Sequence, residues 1–311
     1  MPVHPDTAVV GGGSWGTALA CHLARRGVQT VVWAREPEVV NGINHDRRNP
    51  LFLSDVAVPA SLHATGNLEE AVNSAPILVS SVPTQFVRAT FSTIGASLDH
   101  IEAIVSVSKG IEIGTLLTPT EILCDVLPEA MAPRLRALSG PSFAAEVAAG
   151  IPTAVVAAGT NPETTQLIQR LFSDDHFRVY GSDDLIGVEL GGALKNVIAI
   201  GTGIVDGLGL GKNTRAALIT RGLAELARLG VARGGNPLTF AGLSGIGDLV
   251  LTCTGDLSRN RQVGLGLGRG LSLDEVLAEM TEVAEGVKTT AGARQMAEET
   301  RIDMPITEQV Y

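Results

Sequence analysis

Residues 8–26 restrict the fold more than any other stretch of this 311-residue chain. A short apolar run, Ala8–Val10, passes directly into Gly11-Gly12-Gly13-Ser14-Trp15-Gly16, and a helical pattern over Thr17–Arg26 follows without a break. A strand that turns on glycines into a helix opens a strand–helix–strand unit, and such units build parallel sheets. The glycines satisfy G-x-G-x-x-G. In that spacing Gly11 permits the tight turn, Gly13 lets backbone approach a ligand, and Gly16 lets helix and strand pack closely. A structural glycine turn in another α/β protein would share the glycines. The strand before and the helix after are what separate the two readings.

The first half continues in the same manner. Apolar runs at Thr30–Trp33, Ile77–Val82, Ala103–Val107, Ala137–Leu138, Thr153–Ala157 and Phe177–Tyr180 alternate with helical patterns such as Leu68–Asn73 and Pro162–Phe172. Runs that are apolar throughout fit parallel strands covered on both faces. Small, polar and cationic residues gather where successive runs end: Pro83-Thr84, Ser108-Lys109-Gly110 and Ser139-Gly140-Pro141-Ser142. That edge of an open α/β sheet is where ligands bind. From about Leu185 the β-type runs stop. Helical patterns take over at Gly187–Asp206, Asn213–Leu229, Ser258–Leu267, Leu273–Thr281 and Thr289–Thr300, with Ser272 and Glu275 spaced as a capping box. The expected fold is therefore an α/β N-terminal Rossmann-type doubly wound sheet over residues 1–187 and an all-α C-terminal domain over 188–311, with 1–187 binding a dinucleotide and 188–311 carrying substrate and catalysis.

The pyrophosphate of a nicotinamide dinucleotide suits the free N–H groups and positive dipole end of the helix that follows the glycines. The choice between NAD and NADP turns on the end of the second strand, where Val31-Val32-Trp33-Ala34-Arg35-Glu36 places an arginine where an NAD site usually carries an acid. Arg35 would pair with a 2′-phosphate, which favours NADP(H); Glu36 and the frequency of exposed arginines at strand ends pull the other way.

Two further groups carry chemistry. In Gly191-Gly192-Ala193-Leu194-Lys195-Asn196 the lysine sits one turn beyond two mid-helix glycines, each costing about 1 kcal/mol relative to alanine. One reading is that the glycines clear room for a ligand beside a cleft lysine whose pKa burial has depressed. The other is a solvated lysine on a helix whose glycines serve close packing. Lys109, at a strand end, is open in the same way between a ligand contact and an ordinary cap. Ser258-Arg259-Asn260 reads as an N-cap with an anion-binding arginine and asparagine in the first turn, or as a surface turn.

Composition narrows the partners. A net charge of −10 argues against nucleic acid. Cys21, Cys124 and Cys253 are widely spaced and no two histidines have ligand spacing, so reduced thiols and no metal are expected, with a cytoplasmic location. Met1–Thr7 does not read as a secretory signal, and Glu189, Lys195 and Asn196 argue against a membrane span near 188–205. No integral membrane association is expected, and a homodimer is the default assembly.

These residues match a family. The chain closely resembles bacterial NAD(P)-dependent glycerol-3-phosphate dehydrogenases in the stretches at 11–20, 81–84, 108–112, 139–147, 191–200, 207–222, 245–249, 258–260 and 284–286, which follow in order along almost the whole chain. The resemblance implies that Lys195 is the proton acceptor. It implies substrate contacts from Lys109, Gly140, Ser142, Lys195, Asp248, Ser258, Arg259 and Asn260. It implies cofactor contacts from Ser14, Trp15, Arg35, Lys109, Ala144, Arg259, Val283 and Glu285, beside the motif glycines Gly11, Gly13 and Gly16. The family often has Ala where Gly12 stands and Val where Ala284 stands, and it usually continues past a position like Tyr311. The activity implied is interconversion of dihydroxyacetone phosphate and glycerol 3-phosphate by hydride transfer, in the reductive direction for glycerophospholipid synthesis. Two rivals share the motifs: a dehydrogenase of β-hydroxy acids with a similar lysine helix, and a non-enzymatic redox sensor that binds the dinucleotide without using the lysine.

Overall fold

The structure is a computed structural model that describes residues 6–94, 98–280 and 282–311. Met1–Pro5 of the expected non-signal segment and Thr281 of the expected helix Leu273–Thr281 lie outside the described residues.

Among the described residues eight strands form one sheet: β1 (Thr7–Val10), β2 (Thr30–Trp33), β3 (His63–Thr65), β4 (Ile77–Ser80), β5 (Ala103–Ser106), β6 (Leu135–Ser139), β7 (Thr153–Ala158) and β8 (Phe177–Ser182). Their spatial order is β3-β2-β1-β4-β5-β6-β7-β8. The order reverses between β1 and β4, so the crevice beyond those two strand ends lies at the topological switch point. Apolar residues on both faces of β1, β4 and β5 are buried, as runs without alternation require. One core packs Val9, Val79 and Val105 on one side of the sheet, and another packs Val10, Leu78 and Ile104 on the other.

The Rossmann-type sheet followed by a helical part is as expected, with one correction. The sheet is not wholly parallel: β7 pairs with β6 antiparallel, Ser139 opposite Val156. Between these strands the chain makes only the five-residue helix Ala144–Ala148, too short to carry it back across the sheet. Apolar runs carry no mark of direction, so the sequence could not show the reversal. Strand β3 also escaped the sequence reading, because His63 is exposed and Thr65 half-buried. Short helices at Thr84–Phe91 and Pro119–Val126 complete the connections.

No strand follows Ser182 among the described residues. The main helices there are Leu185–Gly207, Gly211–Ala232, Arg259–Gly268 and Glu285–Thr300. Asp184 caps the first, accepting from the Gly187 N–H at 2.9 Å. The Ser272–Glu275 capping box forms as read, at the start of Leu273–Ala278. Helix Leu185–Gly207 is long and apolar enough to cross a membrane, yet 94% of its most apolar window is buried inside the protein. Its neighbours explain why. A Cβ on Gly264 would lie 1.9 Å from the Ile200 carbonyl oxygen, so helix Arg259–Gly268 rests backbone to backbone against it. Segment Pro237–Thr254 is apolar enough by the same measure and is 39% buried, but three short helical pieces make it up.

Candidate active site

A cleft of about 840 Å³ opens at the switch point, between the glycine turn and helix Leu185–Gly207. The turn is built as its spacing predicts. Gly11 has φ +119°, and a Cβ there would sit 2.7 Å from the Ser81 carbonyl oxygen. A Cβ on Gly16 would lie 2.0 Å from the Gly11 carbonyl oxygen, so helix and turn could not close with any larger residue. Gly13 faces open space on the cleft side. The first N–H groups of helix Ser14–Arg25 have no acceptor within the helix. Trp15 Nε1 is buried without a hydrogen-bond partner among the described residues. An open cradle, free N–H groups and an orphaned donor fit a dinucleotide diphosphate. Arg35, 79% exposed beyond β2, lines the outer end and pairs with Glu36 at 2.8 Å.

The opposite wall carries the charge. Lys195 Nζ donates to Asp248 Oδ1 at 2.7 Å and to Thr252 Oγ1 at 2.6 Å. Lys109 Nζ donates to Asp248 Oδ2 at 2.7 Å and to the Gly140 carbonyl at 3.0 Å. One carboxylate therefore holds two ammonium groups. Burial pulls Lys195 down to about 8, and Lys109 pushes it the same way while Asp248 opposes both. Burial alone would push Asp248 up; the two ammonium groups outweigh it and hold the carboxyl below the ordinary range. Asp248 opens helix Asp248–Thr254, and Thr252 stands one turn later on the same face.

Lys195 is buried, so the solvated-lysine alternative is excluded. Of the two readings of its glycines, close packing is the one that fits. A Cβ on Gly191 would meet the Ser244 carbonyl oxygen at 2.5 Å, and one on Gly192 would meet Ser139 Oγ at 2.6 Å and the Lys109 Cγ at 3.5 Å. The glycines admit backbone and the Lys109 stem, not a ligand.

Ser258 caps helix Arg259–Gly268, accepting from the Arg261 N–H at 3.2 Å. Arg259 projects into the cleft, half exposed, and pairs with Glu282 at 2.7 Å. Asn260 is buried. Its Nδ2 donates to Asn196 Oδ1 and its Oδ1 accepts from the Gly286 N–H, both at 2.9 Å. Asn196 in turn donates to the Lys109 carbonyl at 3.1 Å. Glu285 accepts from the Thr84 N–H at 2.6 Å and the Lys109 N–H at 3.3 Å.

Most residues singled out in the sequence thus meet in one cleft, Ser142, Ala144 and Val283 among them. Two do not line it. Gly16 lies beneath the turn, and Gly140 presents its carbonyl to Lys109 and, at 2.9 Å, to the Ser142 hydroxyl. The sequence reading missed Thr252, Glu282 and the partner role of Asn196. The four-residue spacing of Asp248 and Thr252 was a usable signal; nothing local marked Glu282.

Comparison with known proteins agrees with this geometry. The family described as NAD-dependent glycerol-3-phosphate dehydrogenase N-terminus matches residues 6–165, and its C-terminus counterpart matches 184–311. A protein of Geobacter metallireducens named as an NAD(P)+ glycerol-3-phosphate dehydrogenase is 54% identical over 97% of this chain and 90% of its own length. One of the same name from Myxococcus xanthus is 50% identical over 98% and 91%. A crystal structure of glycerol-3-phosphate dehydrogenase from Coxiella burnetii superposes with a TM-score of 0.93 at 38% identity, covering 99% of this chain and 94% of that one. A cleft with a glycine turn on one wall and a lysine pair sharing one buried carboxylate on the other, in a chain matched over both halves, places this protein in the NAD-dependent glycerol-3-phosphate dehydrogenase family.

Proposed function

We propose that the chain is an NAD(P)-dependent sn-glycerol-3-phosphate dehydrogenase, working in the reductive direction from dihydroxyacetone phosphate toward glycerophospholipid synthesis. The observation that carries the reading is Lys195: a buried ammonium drawn down to about 8, opposite a dinucleotide-type turn, in a cleft that Lys109 and Arg259 also line, with Arg35 at its outer end. Residues 1–187 form the dinucleotide-binding domain in this reading, and 188–311 the catalytic one. A nicotinamide dinucleotide held by the glycine turn would supply the hydride for C2 of the substrate.

The chain's own residues do the rest. Lys195 Nζ gives its proton to the C2 oxygen during reduction and takes it back in oxidation. Its position within 2.7 Å of Asp248 and 2.6 Å of Thr252 fixes where that proton is delivered. Asp248 stays ionised and shares its charge between Lys195 and Lys109, so a developing alkoxide meets cationic donors already in place. Arg259 serves both ligands: with Ser258 and the first-turn N–H groups of its helix it holds the substrate phosphate, and across the cleft from Ser14 it also meets the dinucleotide's diphosphate. Ser142 closes the substrate side, the Gly140 carbonyl behind it steadies Lys109 and the Ser142 hydroxyl, and Asn260 braces that side from behind. Gly11, Gly13, Ser14 and Trp15 hold the dinucleotide's diphosphate while Gly16, beneath them, lets helix and turn close, and Ala144, Val283 and Glu285 lie along the same channel. Arg35 pairs with a 2′-phosphate, which favours NADP(H) over NAD. Two cations around one substrate also favour a phosphate over the carboxylate of a β-hydroxy acid. A cytoplasmic homodimer completes the reading.

Mixing the protein with NADPH and dihydroxyacetone phosphate tests it. Loss of nicotinamide absorbance supports the assignment. Turnover of a non-phosphorylated hydroxy acid alone would overturn it.

A further inference from the structure

Glu282 is a carboxylate in a place built for phosphate, and we propose that it acts as an internal competitor of the ligand's diphosphate, a latch that the incoming anion displaces. Its Oε1 accepts from Ser14 Oγ at 2.5 Å, and its Oε2 pairs with Arg259 Nη1 at 2.7 Å. Ser14 opens the helix behind the glycine turn, and Arg259 opens a helix of the other wall. One carboxylate therefore spans the cleft.

Three features make this contact releasable. The Ser14 hydroxyl has a single proton, and the Phe52 carbonyl is a second acceptor within its reach, so Ser14 keeps a partner when Glu282 leaves. Arg259 is half exposed, and a guanidinium has more donors than Glu282 uses. Three residues on, Glu285 anchors the segment independently through the Thr84 and Lys109 N–H groups. Glu282 can thus swing out while the segment stays docked. A helix N-terminus draws anions, and Glu282 brings a carboxylate to this one. A diphosphate ester brings more acceptor oxygens and more charge to the same donors.

The identity of the ligand rests on the functional reading above; the competition does not need turnover to be seen. Calorimetric titration with NADPH, ADP and adenosine would compare the wild-type protein with Glu282→Gln. NADPH and ADP should bind the variant about fivefold more tightly, as loss of a partly exposed ion-pair competitor implies, while adenosine, lacking phosphate, is unchanged. Unchanged or weaker binding of NADPH and ADP to the variant would overturn the latch and leave the functional reading standing. Wild-type protein that binds neither would overturn both.

Discussion

Asp248 holds Lys195 at 2.7 Å through one carboxylate oxygen and places its other oxygen on a second lysine at the same distance. The three groups come from three separate parts of the chain, and all of them are mostly buried. A lone buried ammonium would shed its proton far below neutrality, and a fully paired one would hold it well above. Sharing one carboxylate between two ammonium groups leaves Lys195 between these limits, where it can exchange a proton in the physiological range.

The pH dependence follows with a definite sign. Reduction needs Lys195 protonated, so kcat/KM for dihydroxyacetone phosphate should fall as pH rises through about 8. Oxidation needs the free amine, so kcat/KM for glycerol 3-phosphate should rise through the same point. Initial rates in both directions from pH 6 to 10 would show two mirrored limbs. Limbs of the same sign would contradict the assignment.

Asp248→Asn removes the charge that supports Lys195. The inflection of the reductive limb should move below about 8, since burial and Lys109 then act unopposed. Stability should drop by roughly 3 kcal/mol, the scale for breaking a buried ion pair. Urea denaturation beside the pH–rate profile separates the two effects.

Substitutions in the glycine turn should divide by what each Cβ would meet. Gly13→Ala points into open cleft, so the variant should fold with nearly the wild-type Tm but bind NADPH about tenfold more weakly. Gly16→Ala drives a methyl against the Gly11 carbonyl and should lower stability by about 1–3 kcal/mol. Thermal melts and fluorescence titrations on the pair check both outcomes.

Arg35 bears on cofactor choice. It is exposed and tied only to its neighbour Glu36. Arg35→Ala should raise KM for NADPH about tenfold through loss of a charge-assisted phosphate contact and leave KM for NADH little changed. Equal effects on both cofactors would remove the basis for an NADP preference.

The strands were legible because burial on both faces makes them apolar without interruption, as in Ile77–Ser80 and Ala103–Ser106. The glycine turn was legible because Gly11 and Gly16 answer steric demands of the turn itself while Gly13 leaves its cleft side open. What escaped depends on placement across the fold. The antiparallel turn of β7 leaves no compositional trace. The tie of Lys195 to Lys109 through Asp248 joins residues far apart in sequence. The glycines before Lys195 stayed open between two readings because a helix interior looks the same whether a ligand or neighbouring protein fills the space beside it; here the Ser244 backbone and the Ser139 hydroxyl do.

Lys195→Met tests the central claim most directly, with NADPH affinity and dihydroxyacetone phosphate turnover measured on one preparation. The lysine donates within the second wall and does not build the glycine turn, so NADPH should bind nearly as it does to the wild type. Turnover should fall by about a thousandfold or more, the scale of a lost general acid. Turnover that survives in a variant with intact NADPH binding would show that the proton passes through another group.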